Sequence, residues 1–293
     1  MLELRDLQFL SALARHRHFA KAAAACGVSQ PAFSMRIRAM EDRLDTAIVN
    51  RGNRFQGLTP EGEAILRHAK PILEEMRALE QDILAAKGTV SGSLTFTVIP
   101  TAAAFAARLS IQLHAAYPGI VARVTTASSL EIQQGIEEGT VDAGLSYSDT
   151  VVSEMIDAHP LYEEVYYLLA PDHLLAADTK TMAWAATTDL PLSLLEPKMQ
   201  NRVIIDRIFA DLDVTPDIVA EAGAMSICVS MACEGLAATV VPGILIESLG
   251  PLEGTVAVPL VAPEVTKSIS LLTPARAHGL PTVEALKDIA ISS

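Results

Sequence analysis

Between Phe19 and Leu44 two helical runs must meet at a sharp corner, and that corner limits the N-terminal part of the chain to very few folds. The run Phe19-Ala20-Lys21-Ala22-Ala23-Ala24-Ala25 has helical composition and stops at Cys26-Gly27, where glycine supplies the positive φ of a tight turn. Two residues on, Ser29 can cap a second helix, with Pro31 tolerated in its first turn. Helical spacing then recurs in Phe33, Ile37, Met40 and Leu44, while Leu7, Leu10 and Ala14 give an earlier helix. The product is a helix-turn-helix. If the second helix packs through Phe33, Ile37, Met40 and Leu44, then Gln30, Ser34, Met35, Arg36 and Arg38 face outward.

That outward face has the chemistry of a reader of double-stranded DNA. Ser29, Gln30, Pro31 and Ser34 lie near the helix N-terminus, where such helices reach base edges, and Met35 suits an apolar contact such as a thymine methyl. Arg36 and Arg38 suit guanine or phosphate, so either Arg36→Ala or Arg38→Ala is expected to weaken binding and leave the fold intact. The Asn- and Gly-rich segment 50–57 between apolar ends reads as a hairpin or wing, from which Arg51 and Arg54 can grip flanking phosphate or a minor groove. The net charge of −13 argues against nucleic acid only until its distribution is seen. Residues 1–58 hold nine Lys/Arg against five Asp/Glu, a net of +4, and the remainder carries −17.

Thr59, Pro60 and Glu61 open a long helix in the order cap, first-turn proline, dipole-favoured acid. Its apolar positions Ile65, Ala69, Ile72, Met76, Leu79 and Ile83 follow the heptad spacing of a coiled-coil seam, and Lys87-Gly88 offers a stop. A dimerisation helix over 59–88 is the reading, because a DNA-binding module gains from two-fold symmetry. Pro71 predicts a kink within it.

Past the 88–92 joint the period changes, and strands alternate with helices. Strands are expected at Leu94–Ile99, Ile120–Thr126, Ala143–Tyr147, Val165–Ala170, Leu192–Leu195, Ile218–Ala220 and Ala237–Val241. Helices are expected at Ala102–Ala116, Leu130–Glu138, Arg202–Leu212 and Met225–Cys233. The result is a two-lobed α/β domain over 89–293, with lobe I near 91–162 and 265–293 and lobe II near 163–264. Trp184 and the Tyr166-Tyr167 pair are expected to pack the second lobe.

One string makes the N-terminal reading specific. Phe19-Ala20-Lys21-Ala22-Ala23, Val28-Ser29-Gln30-Pro31-Ala32-Phe33-Ser34, Ile37, Met40-Glu41 and Leu44, then Arg51 and Leu58-Thr59-Pro60-Glu61-Gly62, resemble the signature of the LysR-type transcriptional regulators. The resemblance is dense over residues 4–67. It implies a winged helix-turn-helix at 1–58, a linker helix and an effector domain shaped like a periplasmic binding protein. It also implies homodimers, commonly assembled as homotetramers, that activate or repress operons at promoter DNA, with RNA polymerase as a further partner. This sequence departs from the usual pattern at four places. His18 replaces a capping Ser, Asp45 replaces Gly, Ile48-Val49 replaces Leu-Phe, and Met35 stands where Arg or Gln is common.

In two-lobed α/β domains, ligands sit where strands end and helices begin. Candidate effector-binding turns are Pro100-Thr101-Ala102, Ser128-Ser129, and Gly223-Ala224-Met225-Ser226. By resemblance, the family's cleft uses turns corresponding to Thr101, Ser128 and Ser129. The segment from Glu196 to Arg202 adds Glu196, Met199, Asn201 and Arg202. Helix N-termini with hydroxyls and one nearby arginine point to a small anion, a carboxylate first of all, and Glu196 fits a ligand that also carries a donor group.

Competing functions find little support. No Gly-x-Ser-x-Gly elbow, phosphate loop or dinucleotide fingerprint occurs, so neither a catalytic residue nor a cofactor is expected. His16 and His18 sit beside arginines in a polar loop and are not read as metal ligands. The alternative is a small-molecule-binding protein or enzyme of α/β sandwich fold without specific DNA binding. The chain has no signal-like N-terminus or membrane-spanning run and an odd cysteine count, so the cytoplasm is the expected compartment. Cys228 and Cys233, among apolar neighbours, are expected to be buried core thiols.

Overall fold

The structure, a computed structural model, describes residues 2–51, 55–275 and 279–292. The chain divides into two compact units, Met1–Lys87 and Gly88–Ser293. No helix among the described residues is long and apolar enough to cross a membrane.

The first unit contains α1 (Leu4–His16), α2 (Phe19–Ala25), α3 (Gln30–Leu44), a hairpin of β1 (Val49–Arg51) and β2 (Phe55–Leu58), and α4 (Pro60–Ala86). Its core is the expected set of Leu10, Ala22, Phe33, Ile37 and Met40, joined by Phe9, Leu13, Ile48 and Val49. Phe9 stacks on Phe33 at 4.7 Å between ring centroids, and Phe19 meets Phe33 edge-on at 6.1 Å. Such pairs add roughly 0.5–1.5 kcal/mol each beyond the area they bury. Gly27 takes φ +66° at the corner, and Ser29 Oγ accepts from the Ala32 N–H to start α3. The carboxylate of Glu41 accepts from the Ile48 and Val49 N–H groups at 3.1 and 3.3 Å, which fixes the wing to the end of α3.

Two departures from the usual pattern resolve physically. His18 retains the cap that its missing hydroxyl put in question, because its Nδ1 accepts from the Ala20 N–H at 3.2 Å. Asp45 sits at φ 48°, ψ 39°, the left-handed C-terminal position that explains why glycine is the usual residue there. Thr59 caps α4 as expected, accepting from the Gly62 N–H at 3.1 Å and donating to the Ala47 carbonyl at 2.7 Å. The helix is continuous through Pro71, whose ring nitrogen has no proton to offer the Arg67 carbonyl.

The second unit is built on β3 (Gly92–Val98), α5 (Ala103–Ala116), β4 (Ile120–Thr126), α6 (Ser129–Glu137), β5 (Ala143–Tyr147) and β6 (Ile156–Pro171). It continues with β7 (Met182–Ala183), β8 (Pro191–Leu195), α7 (Gln200–Asp211), β9 (Asp217–Ala222) and α8 (Met225–Cys233). It ends with β10 (Thr239–Pro242), α9 (Gly243–Leu249), β11 (Thr255–Val261), β12 (Thr266–Pro274) and α10 (Pro281–Ser292). β3 lies parallel between β4 and β5, and β12 runs antiparallel between β5 and β6. The sixteen-residue strand β6 pairs with β12 over Ile156–Val165 and with β10 and β11 beyond, so one strand serves both lobes. β8 and β9 form a separate parallel pair. In the second lobe Trp184 is fully buried between Tyr166 and Phe209, with ring centroids 5.8 and 6.0 Å away, and its indole N–H donates to the Pro263 carbonyl at 3.1 Å.

Two glycine-related positions make opposite predictions for urea unfolding of the first unit. Asp45→Gly relieves the left-handed backbone and is expected to stabilise by about 0.5–1 kcal/mol. Gly62→Ala would set a Cβ 2.1 Å from the Ile48 carbonyl oxygen and is expected to destabilise by roughly 1–3 kcal/mol.

Candidate functional site

The outward face of α3 carries Ser29, Gln30, Pro31, Met35 and Arg38, all exposed, with Ser34 half-buried beside them. Gln30, Ser34 and Arg38 recur at four-residue spacing and so form one stripe, and the Gln30 Nε2 donates to Ser34 Oγ at 3.0 Å. Met35 is 67% exposed, unusual for so apolar a side chain. Among the described residues Arg38 has no ion-pair partner. The backbone of Arg51 lies in β1 of the wing, while Arg54 lies outside the described residues.

Arg36 departs from expectation. Its guanidinium turns back onto α1, with Nη2 2.7 Å from Glu3 and Nε 2.9 Å from Asp6. Arg43, two turns on, contacts the same two acids. Asp6 is fully buried and also accepts from the Glu3 N–H at 3.0 Å. A buried carboxylate without its cations is strongly destabilising, so Arg36 is committed to the fold by the same physics that buries Asp6. The Arg36 guanidinium lies 5.6 Å from the Phe9 ring centroid, and Glu3 holds it further towards its charged form.

In the second unit the turns expected to meet a ligand fall into two groups. On lobe I, Pro100–Ala102 forms a short 3-10 turn after β3, with Thr101 and Ala102 buried. Ser128 caps α6 in a reciprocal box with Glu131: its Oγ donates to the Glu131 carboxylate at 2.7 Å, and its N–H does so at 2.9 Å. Ser129 is buried with its hydroxyl unpartnered. On lobe II, Glu196 pairs with Lys198 at 3.0 Å, and the Glu196 carboxylate lies against Gly223, where a Cβ would stand 3.1 Å from it. The Ser128 N–H and hydroxyl hold the Glu131 carboxyl below its usual range, with a smaller contribution from the charge of Lys198. Met199 and Asn201 are buried at the start of α7, and both amide atoms of Asn201 lack partners. Ser226 is exposed on α8.

Arg202 is also engaged within the fold. Its Nε donates to Asp206 at 2.7 Å, and its Nη1 donates to the Leu195 carbonyl at 3.0 Å and to Glu221 at 2.9 Å. It clips α7 to β8 and β9. Cys228 is buried as expected, its thiol pushed up by burial, whereas Cys233 is exposed on the same helix.

Sequence reasoning missed the most unusual group in this unit. Glu164 on β6 is 2% exposed and accepts one hydrogen bond, from Tyr147 Oη at 2.8 Å, while Tyr147 Oη lies 3.3 Å from Thr101 Oγ1. The Thr101 and Tyr166 hydroxyls also face the carboxyl without well-formed bonds, which leaves Glu164 Oε2 and the Tyr166 and Tyr162 hydroxyls unpartnered. No cation reaches it among the described residues. Lys267, directly across the ladder from Glu164, extends to Asp149 at 2.7 Å. Burial pushes the Glu164 carboxyl up to about 7. The signal was present in the two-residue period of β6, which puts Tyr162, Glu164, Tyr166 and Leu168 on one face.

Comparison with known proteins places both units. Residues 4–63 match the model for the bacterial regulatory helix-turn-helix of the lysR family, and residues 87–292 match the LysR substrate binding domain. The chain is 26% identical to the Escherichia coli DNA-binding transcriptional dual regulator OxyR over 98% of this chain and 95% of that protein. It is 29% identical to the transcriptional regulator CfxR of Cupriavidus necator over 73% of this chain and 68% of the relative. Among solved structures, a full-length OxyR variant from Pseudomonas aeruginosa aligns over 99% of this chain and 95% of its own, with a TM-score of 0.76 at 24% identity. The regulator CbnR bound to its target DNA aligns over 99% of both chains, with a TM-score of 0.67 at 21% identity.

Glu164 has a pH signature. The unfolded carboxyl ionises near the usual 4.3, the folded one near 7, so the native state holds the extra proton between those values. Stability associated with this group is complete below about 4.3 and lost as pH rises through about 7. Glu164→Gln is therefore expected to raise the unfolding midpoint of the second unit at pH 8, by a few kcal/mol at most, and to leave it unchanged near pH 4. Chemical denaturation at the two pH values checks the sign.

Proposed function

The chain belongs to the LysR family of bacterial transcriptional regulators, and on that premise we propose that it reads promoter DNA through α3 and alters transcription when a small carboxylate occupies the cleft between its lobes. It is a regulator and not an enzyme. The observation that carries the DNA reading is the α3 stripe of Gln30, Ser34 and Arg38, polar, outward and flanked by the exposed Met35. Ser29 and Pro31 open the same face, and Arg51 supplies a cation from the wing sequence. Arg36 contributes by orienting α3 through Asp6 and Glu3, not by touching DNA.

Dimerisation through α4 has support in its sequence stripe. Ile72, Leu79 and Ile83 are 44%, 51% and 50% exposed within this unit, and a groove of about 440 Å³ between α1 and α4 includes Leu4, Leu7, Ile65 and Ile72. Apolar side chains at heptad spacing gain by pairing with a second copy, and two copies of α3 then meet two half-sites. Homodimers, and homotetramers built from them, are the assembly proposed.

The carboxylate reading rests on lobe II. α7 starts at Met199 without a side-chain cap, so the first-turn N–H groups of Gln200, Asn201 and Arg202 and the partnerless Asn201 amide are available to an anion. α8 likewise starts at Ala224 without a side-chain cap, next to Gly223. Thr101 and Ser129 supply hydroxyls from lobe I. With Arg202 engaged elsewhere, the anion is held by N–H groups and the Asn201 amide.

Three measurements test these readings. In anisotropy titrations on the protein's own upstream DNA, Arg38→Ala is expected to weaken binding and flatten the salt dependence by about one charge. Arg36→Ala is expected to lower the stability of the first unit instead, with no such change in slope. Leu79→Asp combined with Ile83→Asp is expected to shift sedimentation towards monomer. An unchanged affinity in Arg38→Ala, or an unchanged oligomer in the double variant, would reject the corresponding assignment.

A further inference from the structure

We infer that Glu164, on β6 where that strand passes from one lobe to the other, is a subsite for a protonated amine, so that the effector carries an ammonium group as well as the carboxylate proposed above. The inference deepens that carboxylate reading and rests on it only for the ligand's other end.

A carboxyl removed from water needs a cation or several hydrogen bonds, and Glu164 has one bond. Oε2 has none, because the chain of hydroxyls from the Pro100 turn, through Thr101 and Tyr147, ends on Oε1. The hydroxyls of Tyr147 and Tyr166 face the carboxyl, Tyr162 lies within reach of its charge, and Phe105 packs on Tyr162 at 4.8 Å between centroids. A buried carboxylate with no internal cation, ringed by phenol hydroxyls that can also accept, is a setting in which an ammonium is held by charge and hydrogen bonds. A carboxylate ligand has no reason to enter there.

The protein's own charges leave the position open. Glu164 and Lys267 are cross-strand partners on one face of the ladder, yet Lys267 Nζ is bound to Asp149. Arg108 acts on Tyr162 from α5, and Asp149 acts on Tyr166. No other charged group touches the carboxyl among the described residues. An arriving ammonium provides the cation that Lys267 withholds, and it binds best to the ionised carboxyl, so its binding above pH 7 exceeds that at pH 6. At the other end, Asn201 and the start of α7 take the ligand's carboxylate.

The experiment follows thermal unfolding of the full chain at pH 8 with three matched straight-chain series at equal concentration: ω-amino acids from glycine to 5-aminopentanoate, the corresponding monocarboxylates, and the corresponding monoamines. A ligand that prefers the native state raises the midpoint. At least one amino acid is expected to raise it more than its matched acid, and Glu164→Gln is expected to cancel that excess while keeping the shift from the acid. The unliganded Glu164→Gln midpoint at pH 8, at or above that of the parent, verifies folding. Tyr166→Phe, which removes one facing hydroxyl and keeps the ring, is expected to reduce the excess and serves should the first variant not fold. Equal shifts from acid and amino acid, or an excess that survives in both variants, overturn the ammonium subsite and leave the carboxylate reading in place. Shifts from amines alone, lost in Glu164→Gln, keep the subsite and overturn the carboxylate end. No shift from any probe overturns both.

Discussion

The second unit depends on the hydrogen-bond ladder of β6. A single backbone satisfies β12 along Ile156–Val165 and β10 and β11 along Tyr166–Pro171, so the strand cannot shift towards either lobe without unpairing the other. Side-chain direction alternates along it by necessity, which carries Tyr162, Glu164 and Tyr166 to one face at the point where its partner changes from β12 to β10 and β11. A carboxyl on an edge strand or loop would rotate into water. Glu164 is denied that escape by its place in the ladder, and its environment is therefore a property of the topology.

Two buried carboxyls show how differently the fold treats such a group. Asp6 meets two guanidinium groups and a backbone N–H, all contributed by neighbouring elements of one small unit. Its charge is balanced in place, and breaking any of those contacts would leave a buried ion unpaired. Glu164 meets hydroxyls, and its nearest lysine along the ladder bonds elsewhere. Both are as thoroughly buried, and only one is electrostatically complete.

What the sequence disclosed follows from which interactions are local. The corner at Gly27, the caps at Ser29 and Thr59 and the face of Phe33, Ile37 and Met40 depend on spacing within a few residues, and each was legible. So were β3, α5, β4, α6 and β5, which alternate regularly. The returning strands β11 and β12 and the helices α9 and α10 were not, because the pairing of β12 with β5 and β6 spans more than a hundred residues and leaves no local period. The same distinction governs the site residues. Ser128 and Thr101 lie in turns that announce themselves, whereas Arg36 and Arg202 looked available until partners from other elements, Glu3, Asp6 and Glu221, were placed beside them. An arginine's availability is a tertiary property, while its exposure on a helical wheel is only a secondary one.

That distinction alters what the charge split means. In residues 1–58, Arg36 and Arg43 are balanced by Glu3 and Asp6, which removes equal numbers of each sign and leaves the net at +4. The remaining seven cations then face three acids, one of which, Glu41, is occupied by the Ile48 and Val49 N–H groups at the wing. Pairing inside the module thus concentrates its uncompensated positive charge on fewer side chains, with Arg38 among them on the outward stripe of α3. Phosphate contacts respond to local, desolvated charge and not to the chain total, so a protein of net −13 presents DNA with a basic surface as long as its acids are spent on its own fold or lie beyond a Debye length of about 10 Å. The acidic clamp on α1 serves the basic face of α3 in that sense: it fixes the helix that reads DNA with acids that no longer repel it.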